Sequence, residues 1–266
     1  MAWIGNSPMR LSVPGHKNLR KIVVLNPKGG CGKSTLAVNL AGYLAANNKK
    51  VAIMDFDPQG SSMRWLNIRP KDAAPIHGIS AFDVRSSATR SWQLRVPAEI
   101  EYLVVDSPGS VPPDSLAELT SGAHAILIPV LPSDIDVHAA SKLMRDLLLI
   151  ARVSRRMGRV GVVANRVREN TVSYRKLMSF LDSLSISVVG VLRDSQAYVH
   201  SAEQGLSIHE MQASKVNQDL ERWLPMLDWL NEKLETPLTP RDFRRPQING
   251  EVHKLMMPLN ENIPGA

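Results

Sequence analysis

Short runs of β-branched and aliphatic residues alternate along this chain with longer segments of helical period. The runs 21–26, Val51–Asp55, Tyr102–Asp106, Ala125–Val130, 160–165 and 187–191 are built mostly from Val, Ile, Leu and Ala. Several are continuously apolar, which marks strands buried on both faces. Between them, helical patterning covers 33–47, 113–121, 134–157 and 173–184. Ser133 and Asp136 form a capping pattern at the start of the 134–157 segment. A further helix is expected over 216–234, kinked or split at Pro225. The alternation predicts an α/β fold, a mostly parallel sheet flanked by helices on both faces.

The ends read differently. Segments 1–19 and 236–266 are rich in Pro, Asn and Arg with weak periodicity, so we expect two arms on a core domain of residues 20–235. A chain of 266 residues, 44% hydrophobic, can bury the core of one such domain, and with 5% aromatics its packing is aliphatic. No apolar run reaches the roughly 18 residues of a membrane span. Residues 1–20 contain Pro8, Pro14 and Gly15 and do not read as a signal peptide. One cysteine, Cys31, excludes an internal disulfide framework and a paired-cysteine metal site. A reducing cytoplasm is the expected compartment.

The strongest chemical signal is KIVVLNPKGGCGKST over 21–35. A strand runs into Gly29, Gly30, Cys31 and Gly32, and a helix opens at Lys33 and continues through Ser34 and Thr35. Glycines let successive N–H groups converge on phosphate oxygens, and the helix N-terminus adds a favourable dipole. Lys33 then supplies charge to the β- and γ-phosphates, and Ser34 places a hydroxyl for Mg²⁺. The expected ligand is Mg-ATP and the expected fold is that of a P-loop NTPase. The common pattern GxxxxGK[ST] needs glycine where this chain has Pro27; the variant KGGxGK[ST] is present instead, with a second lysine, Lys28, at its start. Cys31 stands at the variable position, read as a small tolerated side chain rather than a reactive thiol.

Two other strands run into aspartate. Asp55 and Asp57 follow one apolar run and Asp106 ends another, at the carboxyl ends where open parallel sheets bind ligands. Asp106 reads as the magnesium-holding carboxylate, with the Gly109 amide beyond it as a γ-phosphate sensor. Asp57 is the candidate for orienting the attacking water beside the metal. Asp55 is assigned an outer-shell or structural role.

NPKGGCGKST at 26–35, DFDPQG at 55–60 and VDSP at 105–108 together resemble the ParA/Soj/MinD group of deviant Walker ATPases, and DFDPQG resembles the ParA branch. IPVLPS at 128–133, VANR at 163–166 and VLRD at 191–194 are weaker landmarks of the same group. The resemblance spans roughly residues 20–235. It implies an ATP-dependent homodimer that binds DNA without sequence preference, resides in the cytoplasm on the nucleoid, and moves or spaces a cargo. Hydrolysis is then stimulated by a ParB-like or cargo-adaptor protein. Lys28 matches the lysine that reaches the partner's phosphates; Lys33, Ser34 and Asp106 match the phosphate and magnesium residues. Asp57 matches the hydrolysis aspartate. Asn165 matches the adenine contact, and Val191 to Arg193 the loop that packs on the base. Two departures stand out. The usual Ile-Pro-Arg is Val191-Leu192-Arg193 here, and a DNA-contacting arginine has no counterpart in Ser195-Gln196-Ala197.

Net charge is +7. Arg152, Arg155, Arg156, Arg159, Arg166, Arg168, Arg175 and Lys176 face only Glu169 within 152–176, so this one window accounts for the whole excess. Concentrated charge favours a polyanion-binding surface over general solubility. The first four follow helical spacing at a helix end, away from the nucleotide. Arg166, Arg168, Arg175 and Lys176 follow the next strand on the nucleotide side and are the candidate DNA contacts.

Competing classes fit less well. A MinD-like membrane ATPase needs a basic amphipathic C-terminal helix, whereas 253–266 contains Pro258 and Pro264 and a single lysine, so no membrane partner is expected. A nitrogenase-reductase-like carrier needs paired cysteines. A metabolic P-loop synthetase is disfavoured by DFDPQG and the basic window. Plasmid, chromosome, chemoreceptor array and carboxysome all remain open as cargo. His77, His124, His138, His200 and His209 show no metal-ligand spacing, and Trp65 and Trp92 are expected at helix–sheet contacts.

Overall fold

The computed structural model describes residues 16, 18–82, 94–151, 153, 158–183 and 187–243. In chain order the elements are β1 (Arg20–Val24), α1 (Lys33–Ala46), β2 (Val51–Asp55), α2 (Ser61–Asn67), β3 (Ile76–Ser80), β4 (Tyr102–Asp106) and α3 (Pro113–Thr120). There follow β5 (Ala125–Val130), α4 (Asp134–Leu149), β6 (Val160–Val167), α5 (Val172–Ser183), β7 (Val188–Arg193), α6 (Ala197–Glu203) and α7 (Ala213–Glu235). Short 3₁₀ turns form at Ile208–Glu210 and Pro240–Phe243.

The apolar runs become the middle of a seven-stranded sheet, ordered β3-β2-β4-β1-β5-β6-β7, with every pair parallel. Alternate residues feed two cores. Val23, Leu103 and Ile126 pack with Leu119 of α3, Leu143 and Leu147 of α4 and Leu177 of α5. Ile22, Val24 and Val104 pack on the other face with Leu40 of α1, Trp65 of α2 and Trp223 and Leu230 of α7. Strands buried on both faces need this double cover, which is why they read as unbroken apolar runs. Register levels the carboxyl ends: Asp55 lies opposite Asp106, and Val24 opposite Asp106 on the other side.

Some expectations need correction. The edge strand β3 and the short helices α2 and α6 were not foreseen from the pattern. Helix α4 stops at Leu149 rather than continuing to 157. Pro225 does not split α7, which runs unbroken from Ala213 to Glu235. Its ring sits on the exposed side, where water can satisfy the carbonyl left without an N–H partner. The Ser133 cap does form, its hydroxyl accepting from the Asp136 N–H at 3.2 Å. Most of both expected arms lies outside the described residues, but Asp242 packs back onto the body, its carbonyl accepting from Gly122 N–H at 2.9 Å. Among the described residues, no helix is long and apolar enough to cross a membrane.

Candidate active site

The glycine turn is anchored before it bends. Asn26 is buried; its amide donates to the Pro129 carbonyl of β5 at 2.6 Å, and its Oδ1 accepts from Lys28 N–H at 2.9 Å. Gly30 and Gly32 then take φ of 76° and 93°, left-handed values that a side chain resists. A Cβ on Gly32 would also meet Asn165 Nδ2 at 2.3 Å. Gly32 caps α1. Lys33 follows, nearly buried, and its ammonium donates to the Lys28 carbonyl at 3.0 Å. Gly29, Gly30 and Thr35 are exposed, and Ser34 is half-buried. Burial pushes the Cys31 thiol up against the opposing pull of Lys33, so this side chain is a packed thiol that donates to the same Lys28 carbonyl at 3.2 Å.

The acids divide their roles by what holds them. Asp55 Oδ1 accepts from Asp57 N–H at 2.9 Å, and Oδ2 accepts from the N–H groups of Ser62 and Met63 at 3.0 and 3.2 Å. It therefore caps α2, whose own N-cap, Gly60, has no side chain to do so. Burial raises its pKa, with those amides working in the opposite direction. Asp106 Oδ2 accepts from the Ser62 hydroxyl at 2.7 Å, while Oδ1 is buried without a donor among the described residues. Burial pushes the Asp106 carboxyl up to about 6, helped by the charge of Asp55 and opposed by the hydroxyls of Ser62 and Ser34 and by Lys33. A buried, unanswered carboxylate oxygen is costly. A divalent cation beside Ser34 is the kind of group that fits it. Asp57 lies just past the strand, half-buried, with Oδ1 accepting from Gln59 N–H at 3.0 Å. A Cβ at Gly109 would meet nothing within 4 Å, leaving its backbone open to approach.

The rim residues are less uniform. Asn165 donates to the Cys31 carbonyl at 2.8 Å, which ties β6 to the glycine turn. Val191 packs on the core. The Arg193 guanidinium is drawn to α7, where it forms a two-point pair with buried Asp219 at 2.6 and 3.1 Å and reaches Gln218 at 2.9 Å. Arg166 and Arg168 both pair with Asp194, each at 3.2 Å, and hold its carboxyl below the usual range. Arg175 and Lys176 are exposed on α5. Of the first half of the basic window, the described residue Arg159 departs from the expectation. Arg159 is not on a helix end but buried before β6, 3% exposed, donating to the Pro237 carbonyl at 3.1 Å beside Asp242. Arg152, Arg155 and Arg156 lie outside the described residues, as does Trp92.

With this geometry in place, residues 22–208 match the CobQ/CobB/MinD/ParA nucleotide binding domain. The chain belongs to that family. Maintenance of carboxysome distribution protein A from Halothiobacillus neapolitanus is 26% identical over 211 residues, spanning 77% of this chain and 96% of that protein. Among solved structures, apo McdA of Cyanothece superposes with a TM-score of 0.62 at 18% identity, covering 81% of this chain and 99% of that one. A putative plasmid partition protein of Borrelia burgdorferi B31, bound to AMPPNP, gives 0.63 at 15% identity, covering 80% and 99%. At such identities the superpositions establish the fold.

Within this CobQ/CobB/MinD/ParA domain, two contributors escaped the sequence reading. In the sequence Asn26 is one letter of a motif, yet its amide fixes the loop base. Ser62 was not singled out at all. Only the register of β2 against β4 reveals it, by setting the first turn of α2 beside Asp106.

Proposed function

We propose that the chain is a ParA-type ATPase that dimerises on Mg-ATP, binds DNA without sequence preference and positions a cargo through partner-stimulated hydrolysis. The observation that carries this reading is a glycine turn with a second lysine, Lys28, set at the same sheet end as Asp106 and its unanswered Oδ1. The amides of Gly29, Gly30, Cys31 and Gly32, with Lys33 and Thr35, bind and orient the phosphates. Ser34 and Asp106 would hold magnesium, with Asp57 nearby; the ion supplies charge to the phosphate oxygens when bound. Asp57 orients the attacking water. Lys28 reaches the phosphates of a second copy, and Asn165, Val191 and Arg193 flank the adenine. Residues 20–235 form the ATPase body, with arms at either end.

Arg166, Arg168, Arg175 and Lys176 supply the DNA face, which would set the protein on the nucleoid in the cytoplasm. Asp194 partly offsets the first two, so one copy offers few cations and a dimer doubles them. Phosphate contacts make affinity fall with salt, with a slope of roughly −0.9 per contact. The relatives are described by carboxysome distribution and plasmid partition, which supports an organelle or plasmid cargo engaged through an adaptor protein. The test compares binding to unrelated duplexes in ATP and ADP over a salt series. ATP-dependent binding that collapses at moderate salt is expected. The Arg168→Glu, Arg175→Glu, Lys176→Glu triple variant should lose it while keeping the ATP-dependent dimer. Equal binding in both nucleotides would count against the mechanism.

A further inference from the structure

We propose that Ser62 is a positioning residue for magnesium, aiming the Asp106 carboxylate and tying it to the turn that carries Asp57. This rests on the reading that Asp106 serves Mg-ATP. Ser62 is fully buried and donates its one hydroxyl proton to Asp106 Oδ2 at 2.7 Å. Its backbone N–H meanwhile donates to Asp55 Oδ2 at 3.0 Å. The residue is thus fastened to both acids, which lie opposite each other in adjacent strands.

A bland alternative is that a buried hydroxyl has merely found the nearest acceptor. The pattern of satisfaction argues otherwise. Ser62 occupies one oxygen of Asp106, while Oδ1, equally buried, accepts no hydrogen bond of ordinary geometry among the described residues, although the Ser34 hydroxyl lies close enough to act on the carboxyl. A hydrogen bond to one oxygen fixes the rotation of the carboxyl plane, so the other faces a set direction. Partners that orient metal-binding carboxylates in this way typically govern metal affinity by about 10- to 100-fold. Ser62 also lies in the first turn of α2, which begins directly after the Asp57–Gly60 turn, whose Gly60 N–H donates to the Asp57 carbonyl at 2.8 Å. The magnesium acid and the turn of the water-orienting acid are therefore linked through one residue, by its hydroxyl to Asp106 and by its N–H to Asp55, which in turn accepts from Asp57 N–H.

The experiment measures binding of a fluorescent ATP analogue to the full chain as Mg²⁺ is titrated, and again in excess EDTA. Ser62→Ala removes the hydroxyl but keeps the N–H that Asp55 caps, so the fold should persist. Its Mg²⁺ midpoint is expected to rise about tenfold, with affinity in EDTA unchanged. Ser62→Cys, close in size and a weak donor, should fall between. A Mg²⁺ midpoint present in the wild type and unmoved in Ser62→Ala overturns the proposal alone, as does an equal loss of affinity in EDTA. A wild type indifferent to Mg²⁺ removes the underlying reading of Asp106, and the proposal with it.

Discussion

The two ends of the sheet bury ionisable groups of opposite sign, cations at the amino end and carboxylates at the carboxyl end. At the amino end, Lys21 donates its ammonium to the Ser121 carbonyl at 3.0 Å, and Arg159 is spent on Pro237, His124 and Asp242. At the carboxyl end, Asp55 is answered by three backbone N–H groups, yet its neighbour Asp106 keeps one oxygen unanswered. A cavity of about 1020 Å³, lined in part by Arg20, Lys21 and His124, lies at the amino end. Its size does not make it the reactive site, because its buried cation, Lys21, is already hydrogen-bonded to the Ser121 carbonyl. Burial and volume alone do not locate chemistry; incomplete satisfaction beside a phosphate loop does.

Carboxyl-end variants should lose function, and amino-end variants should change stability. The largest effect should come from Lys33→Ala, with ATP affinity reduced by roughly 100-fold or more once a desolvated charge contact to phosphate is gone. Calorimetric titration showing undiminished affinity would break the assignment of the loop. Asp57→Ala should keep ATP bound and lower turnover by about 10²-fold, the low end for a lost general base. Phosphate release at the wild-type rate would shift the role to another acid. Lys28→Ala should bind ATP normally and weaken the ATP-dependent dimer about tenfold, as for one charge contact across an interface. Light scattering with and without ATP reads this directly.

The amino end should show no change in ATP affinity, and a change in stability in its place. Burial pulls the Lys21 amine down to about 7 from 10.5. Between those values the unfolded chain holds a proton that the folded chain does not, so stability should rise as pH climbs from 7 towards 10 and level off below 7. Lys21→Met removes that slope, which is on the order of 1 kcal/mol per pH unit. Thermal melts at pH 7 and 9 would show the gap between variant and wild type narrowing, with ATP affinity equal in both. A Lys21→Met protein that lost ATP binding would erase the distinction between the two ends.

How much of this was legible depended on whether the signal lay in consecutive residues. The turn at 29–32 and the strand ending in Asp106 could be read because glycine, lysine and aspartate stand at fixed local offsets. β3 was missed because IHGIS at an edge leaves His77 and Gly78 exposed and offers no apolar run. Arg159 was assigned to a helix because its spacing fitted one; its burial depends on contacts with residues 237 and 242, far along the chain. VLRD offers Arg193 to the nucleotide side and gives no sign of the buried Asp219, 26 residues on, with which its guanidinium pairs. Ser62 escaped for the same reason, since its partner is 44 residues away.

One residue on the rim says more than its charge. Arg166 follows Asn165 at an irregularity in the β6–β7 pairing and holds φ at 51°, a backbone shape that glycine adopts with less strain. A chain that keeps a long cation in such a conformation accepts local strain to present that side chain. It also places the cation one peptide unit from the amide that grips the phosphate loop. The strained residue is thus fixed on both sides, by Asn165 gripping the loop at Cys31 and by its own guanidinium paired with Asp194.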